Sequence, residues 1–289
     1  MLALRKWILV IGLAVLACGD VKADFVVGLV GGSQLVTFDI ATPGTLTAPV
    51  AITGLRSDET IIGIDFRPAT PNTLVGVGNL GGSGYVYTID VATGVATAIN
   101  TSGFTLTGNS FGVDFNPVPN ALRIVSDAGQ NLRITAGGTG TVFNDTTLSE
   151  TGIVAAAYSN NFAGTTVTTL YNLNAETGSL VRQGGLNGPP SPNGGAITTI
   201  GSLGVNFSNA GFDISGNDGT AYAVLTTGNG SGSGLYTIDL ATGQATLVGD
   251  FGEDIVQDLA VQQVPAPAGA LLLALGLAGL AAARRRITS

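Results

Sequence analysis

Apolar and polar residues alternate in short runs along most of this 289-residue chain, and the runs repeat. The stretch YVYTIDVATG (Tyr85–Gly94) has a near copy in GLYTIDLATG (Gly234–Gly243), and related versions are LVTFDIATPG (Leu35–Gly44), TLYNLNAETG (Thr169–Gly178) and NLRITAGGTG (Asn131–Gly140). A period of two predicts a half-buried strand. The Asp/Asn-x-x-Thr-Gly that closes most copies predicts a tight turn, with glycine taking a positive φ and the Asp or Asn side chain capping backbone amides. A second unit interleaves with the first: IIGIDFRP (Ile61–Pro68), SFGVDFNP (Ser110–Pro117) and NAGFDISG (Asn209–Gly216), with weaker versions IVAAAYSN (Ile153–Asn160) and VQDLAVQQ (Val256–Gln263). Its alternation places Ile64 with Phe66, and Val113 with Phe115, on one buried face.

Both units occur five times in alternation, and the body opens on the first type and closes on the second. In a linear stack the two odd halves would be stranded at opposite ends. In a closed ring they meet and remove each other's strand edges. Residues 24–262 divide into five modules of about 48 residues, near the period of four-stranded propeller blades. The expectation is an all-β, five-bladed β-propeller whose last blade is shared between the two ends. A β-sandwich pair and a six-bladed ring are the alternatives, because the fourth copy is poor and the insertion GGLNGPPSPNGGAITTIG (Gly184–Gly201) spoils the spacing.

The stretches GIDFRPATPNTLVGVG (Gly63–Gly78) and GVDFNPVPNALRIVSDAGQNLRI (Gly112–Ile134) resemble the bacterial family catalogued as domain of unknown function 4394. The resemblance covers nearly the whole body, and Phe115–Ile134 is its most specific phrase. It implies an exported β-repeat protein and assigns no activity.

The two ends read as addresses. Arg5 and Lys6 precede an apolar run, Trp7–Ala17, and Val21-Lys22-Ala23 offers small residues to a leader peptidase, so residues 1–23 are expected to be a signal peptide cleaved after Ala23. A rival reading takes Val15–Cys18 as a lipoprotein box with Cys18 lipidated. At the other end, residues 263–289 are expected to be a sorting segment, with sixteen uncharged apolar residues from Ala268 to Ala283 followed by Arg284, Arg285 and Arg286. Such a helix is marginal for spanning a bilayer, and the arginines would hold the last residues in the cytoplasm. Val264, Pro265, Ala266, Pro267 and Ala268 in front of it resemble the PEP-CTERM class of sorting signals in its Val-Pro-x-Pro-Ala variant. That resemblance implies transient anchoring in the inner membrane, processing by an exosortase-type protease, a cell-surface or extracellular destination, and association with exopolysaccharide. A plain C-terminal anchor is the alternative.

Composition narrows the chemistry. There are 44 glycines, 10% charged residues and no histidine, and Cys18 is the single cysteine. The usual general base near neutral pH and the commonest transition-metal ligand are therefore absent. Between Asp24 and Gln263 five arginines face eighteen carboxylates, a net −13 that would repel a phosphate backbone, so nucleic acid is not an expected partner.

Asp65, Asp114 and Asp213 occupy the same place on the second unit. If that strand lines an axis, they form a candidate seat for Ca²⁺, the one cofactor the sequence suggests, since Ca²⁺ prefers several oxygen ligands. The alternative is that each aspartate hydrogen-bonds a neighbouring strand or turn. Asp114, Asn116, Arg123 and Arg133 form a candidate ligand site in which guanidinium groups recognise a carboxylate or sugar acid. Internal pairing of the arginines with Asp127 or another carboxylate is the alternative. Asp39, Asp90 and Asp239 read as turn residues. No catalytic residue is identified. The leading expectation is an exported, surface-associated, non-enzymatic protein that binds extracellular polysaccharide or another envelope component. A carboxylate-based glycan hydrolase or lyase and a purely structural envelope protein are the other readings.

Overall fold

The computed structural model describes residues 25–228, 232–252 and 254–262. The expected signal peptide, its cleavage point, Cys18 and the sorting segment lie outside the described residues. Twenty strands form five four-stranded antiparallel sheets. Blade 1 is β4 (Thr60–Phe66), β5 (Leu74–Leu80), β6 (Ser83–Ile89) and β7 (Ala96–Thr105). Blade 2 is β8 (Phe111–Asn116), β9 (Ala121–Ser126), β10 (Asn131–Ile134) and β11 (Val142–Asn144). Blade 3 is β12 (Ile153–Tyr158), β13 (Leu170–Asn174), β14 (Ser179–Gln183) and β15 (Ile197–Ser202). Blade 4 is β16 (Asn209–Ile214), β17 (Ala221–Thr227), β18 (Gly232–Ile238) and β19 (Ala245–Asp250).

Blade 5 closes the ring. Its innermost strand, β20 (Val256–Val261), comes from the end of the described chain and pairs with β1 (Phe25–Val30), which continues to β2 (Gln34–Asp39) and β3 (Val50–Ala51). Val26 lies opposite Val261 and Gly28 opposite Leu259 in that seam, so the first and last strands hide each other's edges. Innermost strands of adjoining blades touch all the way round, from β4 through β8, β12 and β16 to β20 and back to β4. The five-bladed propeller with a shared last blade is the fold.

The core is distributed. Five apolar clusters lie one to each junction between blades, for example Leu29, Ile61 and Phe66 between blades 5 and 1, and Val77, Val113 and Phe115 between blades 1 and 2. Each sheet buries both faces, which is how so glycine-rich a chain holds a core. Glycine also sets the distance of approach at the axis. A Cβ at Gly112 would stand 2.5 Å from the Ala155 carbonyl carbon, and one at Gly211 would stand 2.4 Å from the Asp258 Cα.

One repeat falls on a different strand from the rest. In blades 1, 2, 4 and 5 the first unit is the third strand, whereas Thr169–Gly178 covers β13, the second strand of blade 3. The cause is that an Asn-x-x-Thr-Gly turn can join any antiparallel pair; here Asn174 Oδ1 accepts the Glu176 and Thr177 amides at 3.0 and 3.2 Å, and the turn leads into β14. The remaining link of that blade, β14 to β15, is then made by the Gly184–Ala196 insertion. The turn aspartates behave as expected. Asp39, Asp90 and Asp239 accept the amides of Ala41, Thr93 and Ala241, each at 2.8 Å; the Thr93 hydroxyl and amide hold Asp90, and the Ala241 amide holds Asp239, below the usual carboxylate range.

Candidate functional site

The innermost strands carry the aspartates of the second unit to the axis. Asp65, Asp114 and Asp213 are buried, and a carboxylate oxygen from each lies within 4.8 Å of the others. Each also ties its blade to the next. The amide of Phe115 donates to Asp65 Oδ2 at 2.8 Å, that of Tyr158 to Asp114 Oδ1 at 3.0 Å, and that of Val261 to Asp213 Oδ2 at 2.7 Å. A fourth carboxylate, Asp258 on β20, accepts the Ile64 amide at 2.8 Å and so latches blade 5 to blade 1. Metal-like clustering and latching are therefore both present, and the oxygens that do not latch, Asp65 Oδ1 and Asp114 Oδ2, are buried with no hydrogen-bond partner.

Burial raises the pKa of Asp65 and Asp114 well above the carboxylate range. The neighbouring carboxylates, Asp213 acting on Asp65 and Asp65 on Asp114, push the same way, and the latching amides oppose. Burial likewise pushes Asp258 up to about 8 against the pull of the Ile64 and Leu259 amides. Among the described residues none of Asp65, Asp114 and Asp258 pairs with a basic side chain. A cavity of about 190 Å³ opens at the mouth where the innermost strands begin, lined among others by Ser110, Asn209, Gln257 and Asp258.

The second candidate constellation is not brought together as one ligand site. Asp114, Arg123, Arg133 and Phe143 stand in register across blade 2. Asp114 belongs to the axis. Arg123 is 1% exposed and saturated by internal partners. Its Nη1 donates to Asp145 Oδ2 at 2.9 Å and Asn131 Oδ1 at 2.7 Å, its Nη2 to Asn193 Oδ1 at 2.6 Å, and its Nε to the Tyr158 hydroxyl at 3.3 Å. Arg133 bonds the same Asp145 at 3.1 Å and lies over the Phe143 ring. The carboxylate partner is Asp145; Asp127 instead accepts the Asn109 amide.

Asn116 lines a different feature. At the opposite mouth, between blades 2 and 3, a groove of about 560 Å³ runs between three loops. One wall holds Asn116, Val118 and Pro119; the others hold Thr166–Thr168 and, from the insertion, Asn187–Pro189, Ser191 and Pro192. The wall from the insertion is fixed from behind. Gln183 Nε2 donates to Pro192 O at 2.8 Å, Thr146 N to Asn193 O at 3.0 Å, and Arg123 holds the Asn193 side chain. Arg123 thus positions the groove without reaching it.

A family model for a domain of unknown function, number 4394, matches residues 34–260, which run from the start of β2 into β20. The chain belongs to that family. No curated protein matches it in sequence. Solved structures of similar shape include TolB from Acinetobacter baumannii, with 16% identity and a TM-score of 0.48 over 80% of this chain and 54% of that one. Another is a protein of unknown function from Bacteroides thetaiotaomicron, with 15% identity and a TM-score of 0.45 over 84% and 68%. A third, a candidate 6-phosphogluconolactonase from Bacteroides fragilis, gives 15% and 0.40 over 83% and 70%. This member of family 4394 spans about half the length of the TolB chain.

In this family member the specific phrase Phe115–Ile134 encodes the junction of blades 2 and 3, since it holds Arg123, Asn131 and the Asn116 end of the groove. Sequence reasoning missed Asp258 and the groove. Asp258 sits two residues before the repeated aspartate column, on the same strand face, so a period-two reading of VQDLAVQQ carries its signal. The groove has no such signal, because loops far apart in sequence build it.

Proposed function

We propose that this protein is an exported, surface-associated binding protein that holds a neutral stretch of extracellular polysaccharide in the groove between blades 2 and 3. One observation carries the reading: the groove is lined by amides, hydroxyls and apolar faces, with no ionisable side chain among its lining residues. The faces of Val118, Pro119, Val167 and Pro189 suit the C–H surfaces of sugar rings. The side chains of Asn116, Thr166, Asn187 and Ser191 can exchange hydrogen bonds with hydroxyl groups. A glycosidase needs two carboxylates flanking the scissile bond, and this lining supplies none, which favours binding over hydrolysis. The leader and tail resemblances support export, with an exosortase-type protease as the transient partner.

Affinity electrophoresis of the purified protein in gels containing the host's exopolysaccharide tests the proposal. Retardation is expected. Asn187→Gly, which keeps the positive φ of 57° at that position while removing the side chain, and Val167→Asp, which puts a charge into the groove, should each weaken it about tenfold. Mobility that no polysaccharide changes would leave a purely structural role; release of reducing ends would restore the hydrolase reading.

A further inference from the structure

The axial carboxylates carry an inference independent of the groove. Each of Asp65 and Asp114 uses one oxygen to latch the next blade and keeps the other, Asp65 Oδ1 and Asp114 Oδ2, buried without a hydrogen-bond partner. A buried carboxylate oxygen with no donor is costly to retain, and no basic side chain pairs with either residue among the described residues. Asp213 contributes the third carboxylate from the far side of the ring. Two buried oxygens without donors, set in a cluster of three carboxylates, make an arrangement that a cation completes.

We propose that Asp65, Asp114 and Asp213 bind a single Ca²⁺ on the propeller axis, clamping blades 1, 2 and 4 together. The oxygen-only donor set selects a hard cation, and with no histidine in the chain the imidazole that zinc and copper favour is missing. Burial selects among hard cations. Ca²⁺ accepts an irregular set of buried carboxylates, whereas Mg²⁺ demands near-ideal octahedral geometry and gives up its waters reluctantly. The polar cavity at the axial mouth has Asp258, one pleat before the aspartate column, in its lining. Backbone carbonyls or waters would complete the coordination.

The test uses the purified protein, stripped with chelator and dialysed, then loaded with CaCl₂ and analysed for bound metal by mass spectrometry alongside its melting temperature. One Ca²⁺ per chain is expected, with melting raised by about 5 °C or more at saturating Ca²⁺ and much less by equal Mg²⁺. Asp65→Asn and Asp114→Asn keep an oxygen for the latch and remove the charge, and each should weaken binding tenfold or more. Asp90→Asn, in an exposed turn, should not. Crystals of the unaltered protein soaked in Tb³⁺ locate the site even if a variant fails to fold, and the anomalous peak should fall between the three carboxylates. Absence of retained Ca²⁺ with unchanged melting overturns the proposal and means the carboxyls are kept neutral by protons. Ca²⁺ bound with a peak elsewhere, or binding indifferent to both substitutions, overturns it equally.

Discussion

Replacing Arg123 with methionine tests whether a polar hub, and not apolar burial alone, holds blades 2 and 3 together. That junction has the smallest of the five apolar clusters, built around Val125, Ile153, Ala156 and Tyr158. Beside it lies a connected set of side chains: Arg123 bonds Asn131 and Asp145, Gln183 bonds Asn131, and Asn172 bonds Gln183. Methionine keeps most of the aliphatic volume, so the cavity contribution is small and the loss is electrostatic. Removing one member of a buried ion pair costs about 3–5 kcal/mol when its partner is stranded. Here Asp145 keeps Arg133, and Asn131 keeps Gln183, so the expected cost falls to about 3 kcal/mol. Arg133→Met removes a pair whose arginine side chain is 23% exposed, and should cost about 1 kcal/mol or less. Urea unfolding followed by circular dichroism, with a common slope, measures both. A cycle with Asp145→Asn should show coupling to Arg123 of more than about 1 kcal/mol. If Arg123→Met lies within about 1 kcal/mol of the parent, or stabilises it as apolar replacements of buried pairs sometimes do, the hub is not what holds the junction.

Three further outcomes are expected. Gly112→Ala drives a methyl into the backbone of Ala155 and should cost about 3 kcal/mol or abolish folding; Gly76→Ala meets the Cδ1 methyl at the far end of the Ile89 side chain at 2.7 Å, which can turn aside, and should cost about half as much by thermal denaturation. Ending the chain before Val256 removes β20, bares the β1 edge and should yield a protein that aggregates and is cut rapidly by protease, where the parent resists. Burial and the hydrogen bond to Glu59 at 2.6 Å push the Tyr87 hydroxyl up to about 12. The folded state thus holds this proton more tightly than the unfolded chain, so this group leaves stability unaffected below pH 10 and lowers it between pH 10 and 12 by about 1–3 kcal/mol; Tyr87→Phe should lessen that fall, and tyrosinate absorbance should show one late-ionising group fewer in the variant, where Tyr171 and Tyr236 remain raised by burial.

The ring was legible because its information is periodic. Strand alternation, the Asp-x-x-Thr-Gly turns and the unmatched half-units at the two ends all survive as letters in a line, and each maps onto a strand, a turn or the closing seam. The axial aspartates were legible for the same reason, as a column in a repeat. Asp258 escaped because it stands one pleat away from that column, where comparing repeats position by position finds Gly63, Gly112 and Gly211. Blade 3 was misread by one strand because the turn motif specifies a hairpin and not its rank within a sheet. Arg123 had a signal that could have been weighed more heavily. It interrupts ALRIVS, a second strand whose six residues are all buried, and an arginine there must find internal partners. The groove depends on three loops meeting, which no local pattern encodes.

The latches explain why two junctions depart from the repeat. The amide that follows each aspartate column, as at Phe115, Tyr158 and Val261, is taken by the aspartate of the preceding blade. Blade 3 carries Ala157 in that column, so the next such amide, Ile214, turns to its own Asp213 at 2.6 Å. The junction is bridged instead by Asn161, whose amide donates to Asp213 Oδ1 at 3.4 Å. Blade 5 carries Ala260 in the column, and Asp258, one pleat earlier, reaches an amide also one pleat earlier, Ile64. A full set of five aspartates would crowd five negative charges into one buried ring, where like charges disfavour ionisation. Omitting one and displacing another preserves four latches while leaving three carboxylates close enough to share a cation. The irregular copies in the sequence are therefore consistent with a single electrostatic constraint on a closed axis.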